Sequence, residues 1–126
     1  ETTLGIPPAQ IAPFVAQRIG LAKARRIMLT AARFTGKEAF EMGLADFIAK
    51  DANDLKNIES DIIKGVMNCA PGANAITKEI VLATRHLERS EMIDFAAKGF
   101  AERMLSDEGR EGIASFIEKR KPKWSK

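Results

Sequence analysis

Few residues in this chain could do chemistry by themselves. One histidine, His86, and one cysteine, Cys69, are present. A Ser/His/Asp or Cys/His nucleophile arrangement therefore has little to draw on, no disulfide can close within the chain, and neither a cysteine cluster nor a histidine-rich zinc or copper site can be assembled. His86 falls late in a helical stretch, where the helix dipole favours a cation, and reads as a solvated or capping side chain. Cys69 falls on an apolar stripe and reads as a small core residue. Neither a G-x-G-x-x-G nor a G-x-x-x-x-G-K-[ST] phosphate cradle occurs. A basic run closes the chain: Lys119, Arg120, Lys121, Lys123 and Lys126. Residue types alone leave it open between a solubilising end and a partner for phosphates.

The elements that position these residues are helical. After Ile6-Pro7-Pro8, Pro13 suits a first helical position and Gly20 stands where a helix would end. Leu21, Ala24, Met28 and Ala31 recur at spacings of three and four. Thr35-Gly36-Lys37-Glu38 has capping-box spacing, and the short helix it opens should stop at Gly43. Leu44 to Ala49 is the one strand-like stretch. Leu55, Ile58, Ile62, Val66 and Cys69 make one apolar stripe; Ile76, Ile80, Ala83 and Leu87 make the next, after an interruption at Pro71-Gly72. Ser90 is expected to cap a helix through Leu105, and Ser106 one running towards Arg120. In the first of these, Glu91, Asp94, Lys98 and Glu102 form one narrow polar ribbon and almost everything else is apolar or small. A helix apolar on most sides must be covered on most sides, either as a central core helix or, the reading preferred for a chain this short, sandwiched against another domain or subunit.

Composition bounds the rest. The chain has 126 residues, 45% apolar and 29% charged, which is ordinary globular composition and argues against disorder. Twenty basic against seventeen acidic residues give a net charge of +3. With the basic residues concentrated in the tail and no recognition-helix signature, no nucleic-acid partner is expected. No apolar run approaches the roughly 20 residues of a membrane span, so a cytoplasmic location without a membrane partner is expected. The first methionine is Met28, and the expectation is a piece of something longer or a mature chain cut from a precursor.

Several segments together carry a resemblance. Glu1-Thr-Thr-Leu-Gly5-Ile-Pro7-Pro, Ala12-Pro13-Phe14-Val15, Arg18-Ile-Gly20, Ala24-Arg25-Arg26-Ile-Met-Leu29-Thr30, Ala39 and Gly43-Leu44 resemble the second half of a crotonase-superfamily enzyme. Glu111-Gly112-Ile-Ala-Ser-Phe116-Ile-Glu118-Lys119-Arg120-Lys-Pro-Lys-Trp124 resembles that family's C-terminal signature. Pro8-Ala9-Gln10-Ile11-Ala12-Pro13-Phe14-Val15 replaces the glycine pair that many short-chain hydratases carry here, and looks closer to the branch acting on methylglutaconyl- and isohexenylglutaconyl-type thioesters. The fold implied is mainly α, an orthogonal helical bundle forming the C-terminal domain of a crotonase-type (ββα spiral) enzyme, with at most one short strand near 45–49. Residues 1–50 would end the crotonase core, with the substrate loop and first helices; residues 51–126 would be a helical oligomerisation and CoA-contacting region.

The resemblance also implies site residues. Glu1, four positions before Gly5, occupies the place of one of two catalytic carboxylates, and Gly5 and Pro7 belong to the substrate loop. Adding water to a 2-enoyl thioester needs a base to deprotonate the water attacking C3 and an acid to protonate C2. Two carboxylates sharing one proton can serve as both. The partner carboxylate and the oxyanion-hole donors for the enolate would lie upstream of Glu1, so this segment alone is expected to be inactive. Phe116 and Lys119 would reach the adenine and 3′-phosphate of CoA, commonly that of a neighbouring subunit, and three-residue spacing on a helix would set both on one face. Phe100 would close the acyl pocket. The implied partners are an acyl-CoA substrate, further copies in a trimer or hexamer, and the upstream core segment. Coenzyme A is carried by the substrate, so no separate cofactor is expected. An isomerase of the same superfamily and a non-catalytic helical oligomerisation module are the competing readings.

Overall fold

The structure, a computed structural model, describes residues 1–125; Lys126, counted above in the basic run, lies outside them. Among the described residues it contains a 3-10 turn, Thr2–Leu4, and seven α-helices: α1 (Ala12–Ile19), α2 (Leu21–Leu29), α3 (Gly36–Met42), α4 (Ala52–Met67), α5 (Pro71–Ala83), α6 (Arg89–Met104) and α7 (Asp107–Ile117). The mainly α expectation holds. No strand forms among these residues: Leu44 to Ala49 is a bent loop, because a strand needs a ladder partner and no other described segment supplies one. The chain divides into two compact units, Glu1–Ile58 and the residues from Glu59 on, with the boundary inside α4.

In the first unit α1 begins with Ala12, Pro13 sits in its first turn, and it ends at Gly20, φ 81°. It packs on α2, whose Ala24 and Ile27, one turn apart, are buried. The capping box of α3 forms as its spacing requires. Thr35 Oγ1 accepts from the Glu38 N–H at 3.3 Å and Glu38 Oε2 accepts from the Thr35 N–H at 2.7 Å. The helix closes on Gly43, left-handed at φ 83°, with the Leu44 N–H donating to the Ala39 carbonyl at 2.8 Å. Cations of α1 and α2 then serve carbonyls at the end of α3 and just past it. Lys23 Nζ donates to Met42 O at 3.0 Å, Arg18 Nε to Leu44 O at 3.3 Å, and Arg18 also pairs with Asp46 at 2.5 Å. Unpaired carbonyls at the negative end of a helix are where such cations stabilise most.

In the second unit α6 packs on α5 and α7. Gly99 of α6 is buried; a Cβ there would lie 2.8 Å from Ile76 Cγ2 and 3.7 Å from Ile80 Cδ1, so the missing side chain is what lets α5 approach. The stripe Ile76, Ile80, Ala83, Leu87 lies along this contact, half-buried to buried. Glu108 reaches across from α7 to accept from the Gly72 N–H of α5 at 2.9 and 3.2 Å, supplying a cap that Ala70 cannot. Ser106 caps α7 by accepting from the Gly109 N–H at 3.1 Å. The cap of α6, however, is Glu88, in a capping box with Glu91, and not Ser90. A longer carboxylate has taken the role that residue preference assigns to serine. His86 also lies beyond α5, in the turn that follows it, and Cys69 is exposed instead of buried.

The apolar core is thin: Ala24, Ile27 and Ala83 are its buried residues. The chain exposes 10146 Å². A self-contained protein of its 13.8 kDa exposes about 6,600 Å², and even two independent units of half that mass only about 8,000 Å². The excess is apolar in large part: Leu55, Ile62 and Val66 on the α4 stripe and Ile93, Phe100 and Leu105 at α6 are 46–75% exposed. A stripe with helical period and no cover is the mark of a surface made to be buried by something else. No helix among the described residues is long and apolar enough to cross a membrane.

Candidate active site

Glu1 precedes the 3-10 turn, and its carbonyl accepts from the N–H groups of Leu4 at 2.8 Å and Ile6 at 3.3 Å. The turn closes at Gly5, left-handed at φ 80°, where a side chain would be strained. The Pro7 carbonyl next accepts from Ala9 N–H at 2.8 Å and that of Pro8 from Ala12 N–H at 2.9 Å. The loop thus turns twice before entering α1. Its anchor is Thr2: Oγ1 donates to the Met28 carbonyl in the last turn of α2 at 3.1 Å. That same carbonyl accepts from the Ala31 N–H, at 3.3 Å, in the turn that ends α2 with Ala31 left-handed at φ 47°. Nothing in the residue pattern singled out Thr2, since its partner lies 26 positions away.

These contacts set Glu1 at the edge of a cleft of about 290 Å³. Ile11 just before α1, Val15 of α1, Ile27 and Met28 of α2, and Phe34 and Leu44 make its apolar walls, and among the described residues Glu1 is the one ionisable group lining it. A carboxylate at the mouth of an apolar cleft can exchange a proton with an apolar substrate held there. Gly5 and Pro7 shape the loop beside Glu1 without lining the cleft.

Phe100 lies on α6 and is 67% exposed. Phe116, in the last turn of α7, is 84% exposed. Lys119 is not on the helix, and the shared-face expectation for the two is corrected accordingly. Lys119 stands two residues past Ile117, left-handed at φ 54°, where it closes α7 with Lys119 N–H donating to Phe116 O at 3.3 Å and Arg120 N–H to Ser115 O at 3.0 Å. Glycine normally takes this position, because a residue with a Cβ is roughly 1–2 kcal/mol worse in the left-handed region.

A clasp surrounds this corner. Arg120 grips Glu111 with two nitrogens, Nη1 at 2.6 Å and Nη2 at 3.1 Å, and its Nε donates to Glu118 at 2.5 Å. Glu111 also accepts from Lys123 N–H at 3.1 Å. Trp124 Nε1 donates to Asn68 O at 3.3 Å and Ser125 Oγ to Asn68 Oδ1 at 2.9 Å, so the tail is folded back on its own unit. The Glu111 carboxyl is lowered from 4.5 to about 2, first by the Arg120 hydrogen bond, with burial opposing and the Lys123 N–H adding to it. The Arg120 guanidinium is held protonated by Glu111 and then Glu118. A carboxylate whose folded pKa is depressed contributes stability that is fully present above pH 4.5 and lost as pH falls towards 2. Acid titration across that window should therefore release the tail, seen as a change in Trp124 fluorescence, and Glu111→Gln should abolish that acid step. A step of unchanged size in the variant would mean another group holds the tail.

The whole chain, residues 1–126, matches the model of the enoyl-CoA hydratase/isomerase family. The chain belongs to this family. It is 31% identical over 108 residues to the peroxisomal delta(3,5)-delta(2,4)-dienoyl-CoA isomerase of Arabidopsis thaliana, covering 86% of this chain and 39% of that protein. To a probable enoyl-CoA hydratase of Bacillus subtilis it is 29% identical, covering 98% of this chain and 48% of the other. Among solved structures, Pseudomonas aeruginosa AtuE superposes on all of this chain with a TM-score of 0.95 and 49% identity, over 49% of its own length. An enoyl-CoA hydratase/isomerase of Marinobacter aquaeolei gives 0.94 and 40%, over 48% of its length. The chain spans about two-fifths to one-half of the proteins it matches. Its helices are those of a crotonase-type C-terminal domain.

Proposed function

We propose that this chain is the C-terminal portion of an enoyl-CoA hydratase, a lyase that adds water to a 2-enoyl-CoA thioester. The observation that carries the proposal is the placement of Glu1: a carboxylate on an anchored turn, at the edge of an apolar cleft lined by no other ionisable group among the described residues. Glu1 is one of two carboxylates. The second, and the backbone donors of the oxyanion hole, come from the half of the relatives' length that this chain does not span. One carboxylate activates the water that attacks C3 while the other protonates C2, and the oxyanion hole holds the enolate, each donor worth on the order of 3–4 kcal/mol. With one acid and no oxyanion donors of its own, the segment alone is inactive.

At the other end, Phe116 offers an exposed aromatic surface to adenine and Lys119 a cation to the 3′-phosphate of CoA, in a neighbouring subunit of a trimer or hexamer. Phe100 closes the acyl pocket. The uncovered apolar stripes of α4 and α6 support burial against the remaining core and further copies. CoA enters as part of the substrate, and the reaction takes place in the cytoplasm.

The test is to incubate the complete gene product with crotonyl-CoA and 3-methylglutaconyl-CoA in isotope-labelled water and analyse the product by mass. Incorporation of label at C3 of a 3-hydroxyacyl thioester supports hydration. The name of the Arabidopsis relative favours a second reading, an isomerase. Migration of the double bond without oxygen incorporation would replace the first reading by this one.

A further inference from the structure

The corner after α7 holds four cations, Lys119, Arg120, Lys121 and Lys123, whose surroundings differ. Lys121 is exposed, with its carbonyl accepting from Arg120 Nη1 at 3.2 Å, and of the two lysines whose ammonium has no partner among the described residues only Lys119 has a left-handed backbone. Arg120 is committed to Glu111 and Glu118, and Lys123 approaches Glu111 at 3.7 Å. Among the described residues these two carboxylates are the acids paired in the corner, Arg120 taking both and Lys123 sharing Glu111. Lys119 is exposed, and its ammonium enters no hydrogen bond or ion pair among the described residues. It is also a lysine in the backbone conformation that glycine would occupy without strain. Strain kept where a simpler residue would relieve it points to a use for the side chain.

We infer that Glu111 is a positioning residue for the nucleotide end of the substrate: by clamping Arg120 it fixes the closure of α7 and so keeps Lys119 left-handed, unpaired and available to a phosphate. This rests on the reading of Lys119 given above but assigns new work to Glu111 and Arg120. Glu111 is suited to it. Its side chain is 13% exposed, and it holds both the residue after Lys119 and, through the Lys123 N–H, the tail beyond. A planar guanidinium gripped at two points fixes orientation in a way a single contact does not.

The probes are CoA and 3′-dephospho-CoA, titrated calorimetrically against the complete gene product, with kcat and KM for a crotonyl thioester of each. Lys119→Gly should raise the urea midpoint, because strain is relieved, and weaken CoA about tenfold, the scale of a lost charged hydrogen bond, while leaving 3′-dephospho-CoA unchanged. Glu111→Gln should weaken CoA several-fold, raise KM without changing kcat, and leave the dephospho ligand unchanged. Arg120→Lys, which keeps the charge but loses the fork, should do the same and carries the test if Glu111→Gln fails to fold. Equal losses for both ligands in the Glu111 and Arg120 variants would make the clasp merely structural and overturn the inference. So would unchanged CoA affinity in those variants while Lys119→Gly is weakened, which would leave the phosphate contact standing. Unchanged affinity in Lys119→Gly would instead remove the reading of Lys119 itself.

Discussion

Replacing Glu1 by Gln in the complete gene product should lower kcat for hydration roughly a thousandfold, within the range that a positioned acid or base contributes. The amide is nearly isosteric, so the 3-10 turn, the Gly5 closure and the Thr2 anchor to Met28 are all retained. What disappears is the ability to hold or release a proton at the cleft. Glu1 is exposed and its side chain enters no hydrogen bond among the described contacts, so the thermal midpoint should stay where it was. KM should change little, since in the proposed role the carboxylate acts on the reacting atoms and not on the CoA body. Steady-state kinetics beside a thermal melt decide the matter: undiminished turnover would remove Glu1 from the chemistry, and a collapse of the melt would make it a structural residue.

The largest effect on stability is expected at Gly109. It is the third residue of α7, and its N–H is held by the Ser106 hydroxyl, which in turn donates to Arg103 O at 2.7 Å. Only Leu105 and Ser106 separate α6 from α7, so the corner is tight. A Cβ on Gly109 would stand 2.2 Å from Arg103 O and 2.9 Å from Met104 O. Those are backbone atoms and cannot swing aside. Gly109→Ala must therefore open the corner, loosening the Ser106 cap and the Glu108 link to Gly72 together. The expected loss is about 3 kcal/mol, the upper end for forced overpacking, read from the urea midpoint of the complete gene product. A loss under about 0.5 kcal/mol, the size of an ordinary surface substitution, would show that α6 and α7 do not approach this closely.

The same corner shows what can be read from a sequence and what cannot. The Ser106 cap, the Thr35–Glu38 box and the stops at Gly20 and Gly43 were all legible, because each is a contact between residues at most four apart and residue type alone signals it. Residue type points to Ser90 and not Glu88 as the cap of α6, because glutamate ranks low at that position; its pairing with Glu91 is what makes Glu88 work. Leu44 to Ala49 has strand-like composition, but its conformation is set by Arg18, 26 residues from Leu44, reaching the Leu44 carbonyl and Asp46. Spacing places Cys69 on the apolar α4 stripe but not in a core, and it is exposed, since periodicity reports which residues share a face and not what covers it.

By itself, then, the sequence determined a helical chain, most of its helix ends, an apolar surplus too large for its own core, and through its resemblance the residues on which chemistry should be sought. Those properties follow from local spacing and residue type. Tertiary structure alone decided that Thr2 anchors the turn bearing Glu1, that the turn borders an apolar cleft, and that Lys119 lies past its helix in a strained corner clasped by Glu111 and Arg120. Each depends on groups brought together by chain reversal, from the nine residues between Glu111 and Arg120 to the forty-three between Glu1 and Leu44, and no periodic pattern encodes such a meeting.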